Sequence, residues 1–489
     1  MNIGSEMQEI SSNNKRIAKN TLLLYFRMLV TMAVSLYTSR VVLNILGVED
    51  FGIYNVVGGI VAMFGFINGS MTSATQRYLT FELGQNNRAQ LTKVFSTSLS
   101  IHGIISFLII VLAETVGLWF LWNKMQIPAD RMNAAFWVFQ CSVAASVIMI
   151  MSVPYNAAII AHERMSAFAY ISIIEVSLRL LIVCFLRYFH TDKLILYAAL
   201  IVIVQFLIRL CYSWYCNRHF NETKYRWSWD KGLFKEMTGF ASWNMFGSLA
   251  AITFTQGLNL LLNMFFGPVV NAARGIAVQA QTAIGQFSSN FQTALNPQIT
   301  KSYATGDMEY MHGLIFRSAK FSFFLLLLLS LPVLIETKAI LTLWLKIVPD
   351  HTVVFLRIML CTTWVYAVSN PLITAASATG KIKLYQSVVG GLLLLILPIS
   401  YLCLRFGLPA YSVFIVHFVM EITAQFARLL MLRRMIRLSL REYFAKVIWS
   451  ISKVTAIALA APLAVAYWQP GEGIWNLLTI CLICAISTS

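Results

Sequence analysis

Residues 20–46, NTLLLYFRMLVTMAVSLYTSRVVLNIL, decide the architecture. The run is apolar apart from short polar side chains and two charges, Arg27 and Arg40. At 1.5 Å of rise per residue, about twenty such residues cross roughly 30 Å of hydrocarbon as a helix. Runs of similar length recur from here to the C-terminus. The chain of 489 residues is 58% hydrophobic and only 12% charged, against about 25% charged in an ordinary soluble protein. These features exclude a soluble globular enzyme, a secreted disulfide scaffold and a disordered chain, and predict an all-α polytopic membrane protein.

Spans are predicted near 20–46, 53–80, 92–122, 132–160, 166–187, 194–216, 238–265, 271–298, 314–344, 352–378, 383–404, 409–432, 446–468 and 474–488. The last is short, so thirteen spans is the alternative to fourteen. Assigning alternate loops to the two sides places about 22 Lys and Arg on the side of the N-terminus, about 7 opposite and about 8 inside spans. The largest basic cluster, Arg428 to Lys446, falls on the N-terminal side, and both termini are expected in the cytoplasm. The net charge of +17 is therefore read as loop charge, with no nucleic-acid partner expected. All eight cysteines lie in or beside apolar stretches. Cys481 and Cys484 have neither a second pair nor a nearby His, so they read as small buried hydrophobes and no metal is expected. The polar N-terminal tail and long first span do not read as a cleavable signal peptide.

The chain repeats itself loosely. Asn44-Ile-Leu-Gly47 returns as Asn263-Met-Phe-Phe-Gly267, each at the end of a long span and each followed by a span rich in small and amide residues. Thr75-Gln-Arg-Tyr78 and Leu295-Asn-Pro-Gln298 end those spans, before loops holding Gly84 and Gly306. The offset of about 220 residues covers six spans, so both copies share one orientation. Parallel repeats of this kind build two-lobed transporters.

Helix phase picks out polar stripes. Asn20, Arg27, Thr31 and Thr38 share a face of the first span, and Asn55, Gly58, Ala62, Gly69 and Gln76 align more loosely on the second. Asn244, Ser248, Ala251, Thr255 and Asn259 align on the seventh span. On the eighth, Arg274, Gln281, Ser288 and Gln292 align tightly. Such faces avoid lipid tails and should meet protein or water. Close helix packing through small residues is the plain alternative, particularly for the second and seventh spans. Arg27 and Arg274 are the leading anion ligands because a guanidinium forks onto phosphate oxygens. Arg40 and Arg77 are weaker candidates that could instead snorkel to headgroups. Arg179 follows Glu175 by four residues, which favours a self-neutralised pair.

The acids within the predicted spans are Glu114, Glu175, Glu336 and Glu421. Glu421 lies one turn after His417, and such a pair could carry a coupling proton or Na⁺, although a structural hydrogen-bonded pair is the commoner arrangement. Pro154, Pro297, Pro332, Pro371 and Pro398 offer kinks. Glu49-Asp50 could form the acidic catalytic pair of a lipid-dependent glycosyltransferase, but no large acceptor-binding loop accompanies it. There is no second His to make His162-Glu163-Arg164 a zinc motif, and no phosphate-binding loop for ATP. No enzymatic activity is expected.

Leu46-Gly-Val-Glu-Asp-Phe-Gly-Ile-Tyr54 resembles the LG-x-x-x-[FY]-G-x-[YF] signature after the first helix of bacterial polysaccharide flippases. The Thr75–Tyr78 end of span 2 and the stretches Pro154-Tyr-Asn-Ala157 and Glu163-Arg-Met165 are similar to the same group. This is the O-antigen and capsule repeat-unit flippase family of the MOP superfamily, which also holds MATE exporters. The resemblance implies two pseudo-symmetric six-helix lobes (20–216 and 238–437) joined by a cytoplasmic linker (217–237). A polar tail (1–19) would precede them and two additional helices (438–489) follow. It implies an undecaprenyl-pyrophosphate-linked oligosaccharide as substrate, moved across the cytoplasmic membrane by alternating access through a cationic central cavity between the lobes, which the polar stripes would line. Membrane lipids and a polysaccharide polymerase or synthesis complex would be the other partners. Arg27 and Arg274 would meet the diphosphate while stripe amides and hydroxyls, including Asn55, bind sugar. A MATE-type exporter of small organic molecules is the alternative, disfavoured by a first span with two arginines and no acid. A non-transporting scaffold is a third reading.

Overall fold

The apolar runs fold as helices, and no strand occurs among the described residues. The computed structural model describes the backbone except at residues 1–2, 63–64, 124, 126, 187, 190, 225–229, 346–347, 469–473 and 489. Its side-chain description further omits 3–15, 36, 39–40, 43, 48–49, 51–52, 55–56, 59–62, 65–68, 268, 463, 465–468, 474–478 and 488. The chain divides into two compact units, Met1–Met245 and Phe246–Ser489. The division falls inside a long helix, so that helix's first turns belong to unit 1.

Unit 1 contains α1 (Ile3–Ala62), α2 (Gly65–Gly84), α3 (Arg88–Leu112), α4 (Leu118–Asn123), α5 (Met132–Ala161), α6 (Met165–Leu186), α7 (Lys193–His219) and the start of α8 (Lys231–Phe266). A π-helical turn, Ala113–Gly117, joins α3 to α4. Unit 2 takes the rest of α8, then α9 (Pro268–Thr305), α10 (Met308–Ile335), α11 (Thr337–Leu345), α12 (Thr352–Ala378), α13 (Lys383–Arg405) and α14 (Ser412–Met435). It closes with α15 (Leu440–Tyr443), α16 (Trp449–Trp468) and α17 (Ile474–Thr488).

Eleven helices among the described residues are long and apolar enough to cross a membrane. The expected eighth span, α9, is not one of them because its polar stripe lowers its hydropathy. The expected ninth span is broken: α10 stops at Ile335 and α11 begins at Thr337. Arg357 holds this break, donating from Nε to Thr337 Oγ1 (2.9 Å) and from Nη2 to the Ile335 carbonyl (3.1 Å).

The internal repeat is written in the backbone. Gly47 interrupts α1 at φ 80°, ψ 173°, and Gly267 separates α8 from α9 at φ 78°, ψ −173°. That corner of conformational space is essentially open only to glycine. Further along each copy, Asn86 (φ 56°) and Gly306 (φ 78°) both turn left-handed. The next residue then caps a helix: Asn87 Oδ1 accepts from Gln90 N–H, and Asp307 Oδ1 from Tyr310 N–H. Such caps contribute about 1 kcal/mol each. Packing repeats as well. In unit 1, α5 packs on α2, α3 and α7; in unit 2, α12 packs on α9, α10 and α14. Small residues permit close approach, since a side chain at Gly257 of α8 would collide with Leu397 of α13.

Charge fixes the loop ends of unit 1. Arg131 forks onto Asp50 (Nε to Oδ1, 2.8 Å) and reaches Asp192 (Nη1 to Oδ2, 2.7 Å). Asp50 is thus held by an arginine, while the Glu49 side chain lies outside the described residues. Partial burial pushes the Asp192 carboxyl up, but hydrogen bonds from Arg131 and from the Ile195 and Leu194 N–H groups outweigh it and hold the group below its ordinary value. In another loop, His162 meets Glu222 at 2.5 Å and stacks on Phe220 with ring centroids 4.0 Å apart. Burial raises Glu222, and the His162 contact more than reverses that.

Candidate functional site

The stripe on α9 faces α10 and α12, and this orientation creates a cavity of about 440 Å³ within unit 2. Gln281, Ser288 and Gln292 line it from α9, Thr362, Thr363 and Tyr366 from α12, and His417, Glu421 and Arg428 from α14. Each glutamine uses its N–H donors on the wall. Gln281 Nε2 donates to the Met359 carbonyl (3.2 Å) and Thr363 Oγ1 (2.8 Å). Gln292 Nε2 donates to Ser322 Oγ (3.1 Å) and the Ala367 carbonyl (3.0 Å). Their Oε1 atoms accept no hydrogen bond among the described residues, which leaves each as an acceptor. Ser288 is 4% exposed and its hydroxyl has no partner among the described residues. A buried hydroxyl without a partner is costly, so such a group favours a polar occupant.

The charged groups of the cavity cancel within α14. Arg428 Nη1 donates to Glu421 Oε1 at 2.7 Å and to Ser369 Oγ at 3.0 Å. Both Arg428 and Glu421 are under 5% exposed. Ser369 Oγ donates to Gln425 Oε1 (2.6 Å), and Gln425 Nε2 donates to the Tyr443 hydroxyl (3.3 Å). The acid is therefore bonded to Arg428, while His417 packs its ring on Phe254 with centroids 4.8 Å apart. Arg428 was counted with the cytoplasmic cluster; it belongs to the buried interior of α14. The signal was in the spacing: seven residues are two turns less 20°, so Glu421 and Arg428 share a helix face.

The remaining sequence candidates go elsewhere. Arg274 is 7% exposed and joins α9 to α8: Nη1 donates to Asn259 Oδ1 (2.9 Å) and Nη2 to the Thr255 carbonyl (2.8 Å). The Thr255 hydroxyl donates to Ala251 O. The stripe on the second half of α8 thus receives a guanidinium from its neighbour. In unit 1, Arg27 lies over the Phe168 ring of α6 at 4.6 Å, and Thr31 donates to the Met28 carbonyl. Arg77 is buried among three rings, at 4.4 Å from Tyr78, 4.9 Å from Phe81 and 5.7 Å from Phe240. Asn244 is buried in the part of α8 that belongs to unit 1. Arg40 and Asn55 have side chains outside the described residues. Arg209, unassigned from sequence, sits over Tyr155 at 4.2 Å, and Arg179 pairs with Glu175 at 2.6 Å as its spacing predicts.

Similarity to known proteins accords with this architecture. An outward-facing multidrug resistance MATE family transporter of the MOP superfamily superposes with a TM-score of 0.75 at 12% identity, covering 87% of this chain and 96% of that one. A MATE protein in its bent conformation gives 0.76 at 12% identity, covering 91% and 97%. A MOP superfamily transporter from Pyrococcus furiosus, described as having a binding pocket of reverse polarity, gives 0.70 at 14% identity, covering 87% and 96%. These likenesses establish the fold: this is a multi-pass membrane protein with the MATE-like architecture of the MOP superfamily. No curated protein sequence matches the chain. The profile of one family, described as polysaccharide biosynthesis protein, matches residues 17–303. With more than half its length inside that match, the chain belongs to the polysaccharide biosynthesis protein family.

Proposed function

We propose that this protein is a flippase that moves undecaprenyl-pyrophosphate-linked oligosaccharide repeat units across the bacterial cytoplasmic membrane, exposing the head group alternately to the two sides. Both termini are assigned to the cytoplasm from the Lys and Arg bias of the loops. The observation that carries the reading is the chemistry of the unit 2 cavity. Its wall is largely apolar, with Ala251, Phe254, Leu326 and Leu393, and set into it are amide acceptors, a buried hydroxyl and, among the described lining residues, one acid that its own arginine neutralises. A neutral, hydroxyl-bearing group suits such a wall better than an organic cation does. At about 440 Å³ the cavity lies in the size range of small-molecule sites, about 300–1,000 Å³. Sugar hydroxyls would donate to Gln281 and Gln292 Oε1 and accept from Ser288. Arg27, with Arg40 and Arg77 as further candidates, is assigned to the diphosphate. Arg274 supports the site by fixing α9 against α8. Of the two coupling ions considered, a proton carried by His417 is assigned, because Glu421 already has a cationic partner.

The test is complementation. In a strain lacking the gene, the wild-type protein should restore surface polysaccharide. The Gln281→Leu/Gln292→Leu variant, at equal membrane level, should restore less than a tenth of it. Full restoration by that variant would remove the cavity from the account. The fold similarity keeps a MATE-type exporter as the second reading, which predicts drug hypersensitivity on deletion with polysaccharide unchanged.

A further inference from the structure

We propose that Arg428 is a built-in counter-ion that fills a monovalent-cation site in unit 2, so that the wild-type cavity is closed to Na⁺ and the site opens only when Arg428 is removed. The inference rests on the proposed transport reading for its significance, but not for its evidence. Glu421 Oε1 and Ser369 Oγ converge on a single nitrogen, Arg428 Nη1, at 2.7 and 3.0 Å. Gln425 Oε1 stands behind them, 2.6 Å from Ser369 Oγ. Two oxygens, one of them on a carboxylate, thus meet at one point, and oxygen is the ligand type that hard cations take. A guanidinium N–H occupies the place such a cation would take.

The surroundings support the exchange. Arg428 and Glu421 both line the cavity. Arg428 is 2% exposed, and its Nε has no hydrogen-bond partner among the described residues. The guanidinium is held through Nη1 at the oxygens described and also interacts with the Tyr385 hydroxyl. If it is replaced by a neutral residue, a buried carboxylate remains without a cation, a state that a protein relieves by taking up a proton or a metal ion. Two neighbouring oxygens on the same nitrogen favour the metal ion.

The experiment uses full-length protein purified in detergent, with NaCl exchanged for choline chloride at constant ionic strength. Retention of radioactive sodium and the thermal unfolding midpoint are both recorded. Wild-type protein should be indifferent to the exchange. Arg428→Gln should retain sodium saturably, with a half-saturating concentration at least tenfold below any wild-type response, and its midpoint should rise with sodium. Arg428→Gln/Glu421→Gln should lose both effects. Arg428→Met, which preserves side-chain bulk, is read in the same way should the glutamine variant fail to purify. A monodisperse Arg428 variant that retains no sodium overturns the proposal, as does a wild-type protein that binds sodium equally well. Because no glycolipid is present, this result is independent of the complementation outcome, and either can fail while the other holds.

Discussion

Arg77 in unit 1 and Arg428 in unit 2 are both buried arginines in a repeated fold, yet their surroundings solve the charge problem differently. Arg77 lies among aromatic rings, and the same device recurs at Arg27 over Phe168 and Arg209 over Tyr155. Arg428 and Arg274 have oxygen partners, Glu421 and Ser369 for the first and Asn259 Oδ1 with the Thr255 carbonyl for the second, as Arg131 and Arg179 of unit 1 also do. Ring faces attract a guanidinium without fixing its direction closely, and the gain is about 0.5–2 kcal/mol. Carboxylates and carbonyls bind it directionally and more strongly. The backbone turns of the two copies coincide while the side-chain chemistry has diverged.

The contrast can be broken most severely at Glu421. Glu421→Ala strands Arg428 in the interior and should destabilise the protein by about 3–5 kcal/mol, seen as loss of the monodisperse peak after heating. Glu421→Gln/Arg428→Met should recover most of that loss; failure to recover would mean that the pair is not the cause. Arg274→Ala should cost about 2–3 kcal/mol by removing two hydrogen bonds from a charged donor. Arg27→Ala, at equal membrane level, should reduce polysaccharide export at least tenfold. Unchanged export in that variant would remove Arg27 from the account.

The smallest effect lies at the loop clamp. Asp192 titrates below its unfolded value of about 3.9, so its stabilisation is present above that pH and is lost as pH falls through the lower folded value. With these side chains 22% and 32% exposed, screening limits the contribution to about 1 kcal/mol. Arg131→Ala should flatten this acid-side dependence of the unfolding midpoint, and an unchanged profile would show that the clamp is not responsible.

Much of the architecture was legible from local pattern. Span length gave the helices, and the Gly47 and Gly267 echoes gave the repeat, because an unusual backbone angle demands a particular residue. The α9 stripe gave the cavity wall, since 3.6-residue periodicity places Gln281, Ser288 and Gln292 on one face. Arg274 stands out in the sequence as a charge on a polar stripe, but helix phase cannot say whether a guanidinium faces a hollow or a neighbouring helix's carbonyl. Arg428 was missed because charge near a span end was read as loop charge. Only the partner seven residues earlier shows that it belongs inside. The contributions of Ser369, Thr363 and Tyr366 required knowing that α12 packs on both α9 and α14, which no single helix encodes.

The most direct measurement is leaflet-resolved quantification of lipid-linked oligosaccharide in cells depleted of this protein. Accumulation in the cytoplasmic leaflet, with loss from the outer one, is the predicted result. An unchanged distribution between leaflets, with surface polysaccharide intact, would contradict the account.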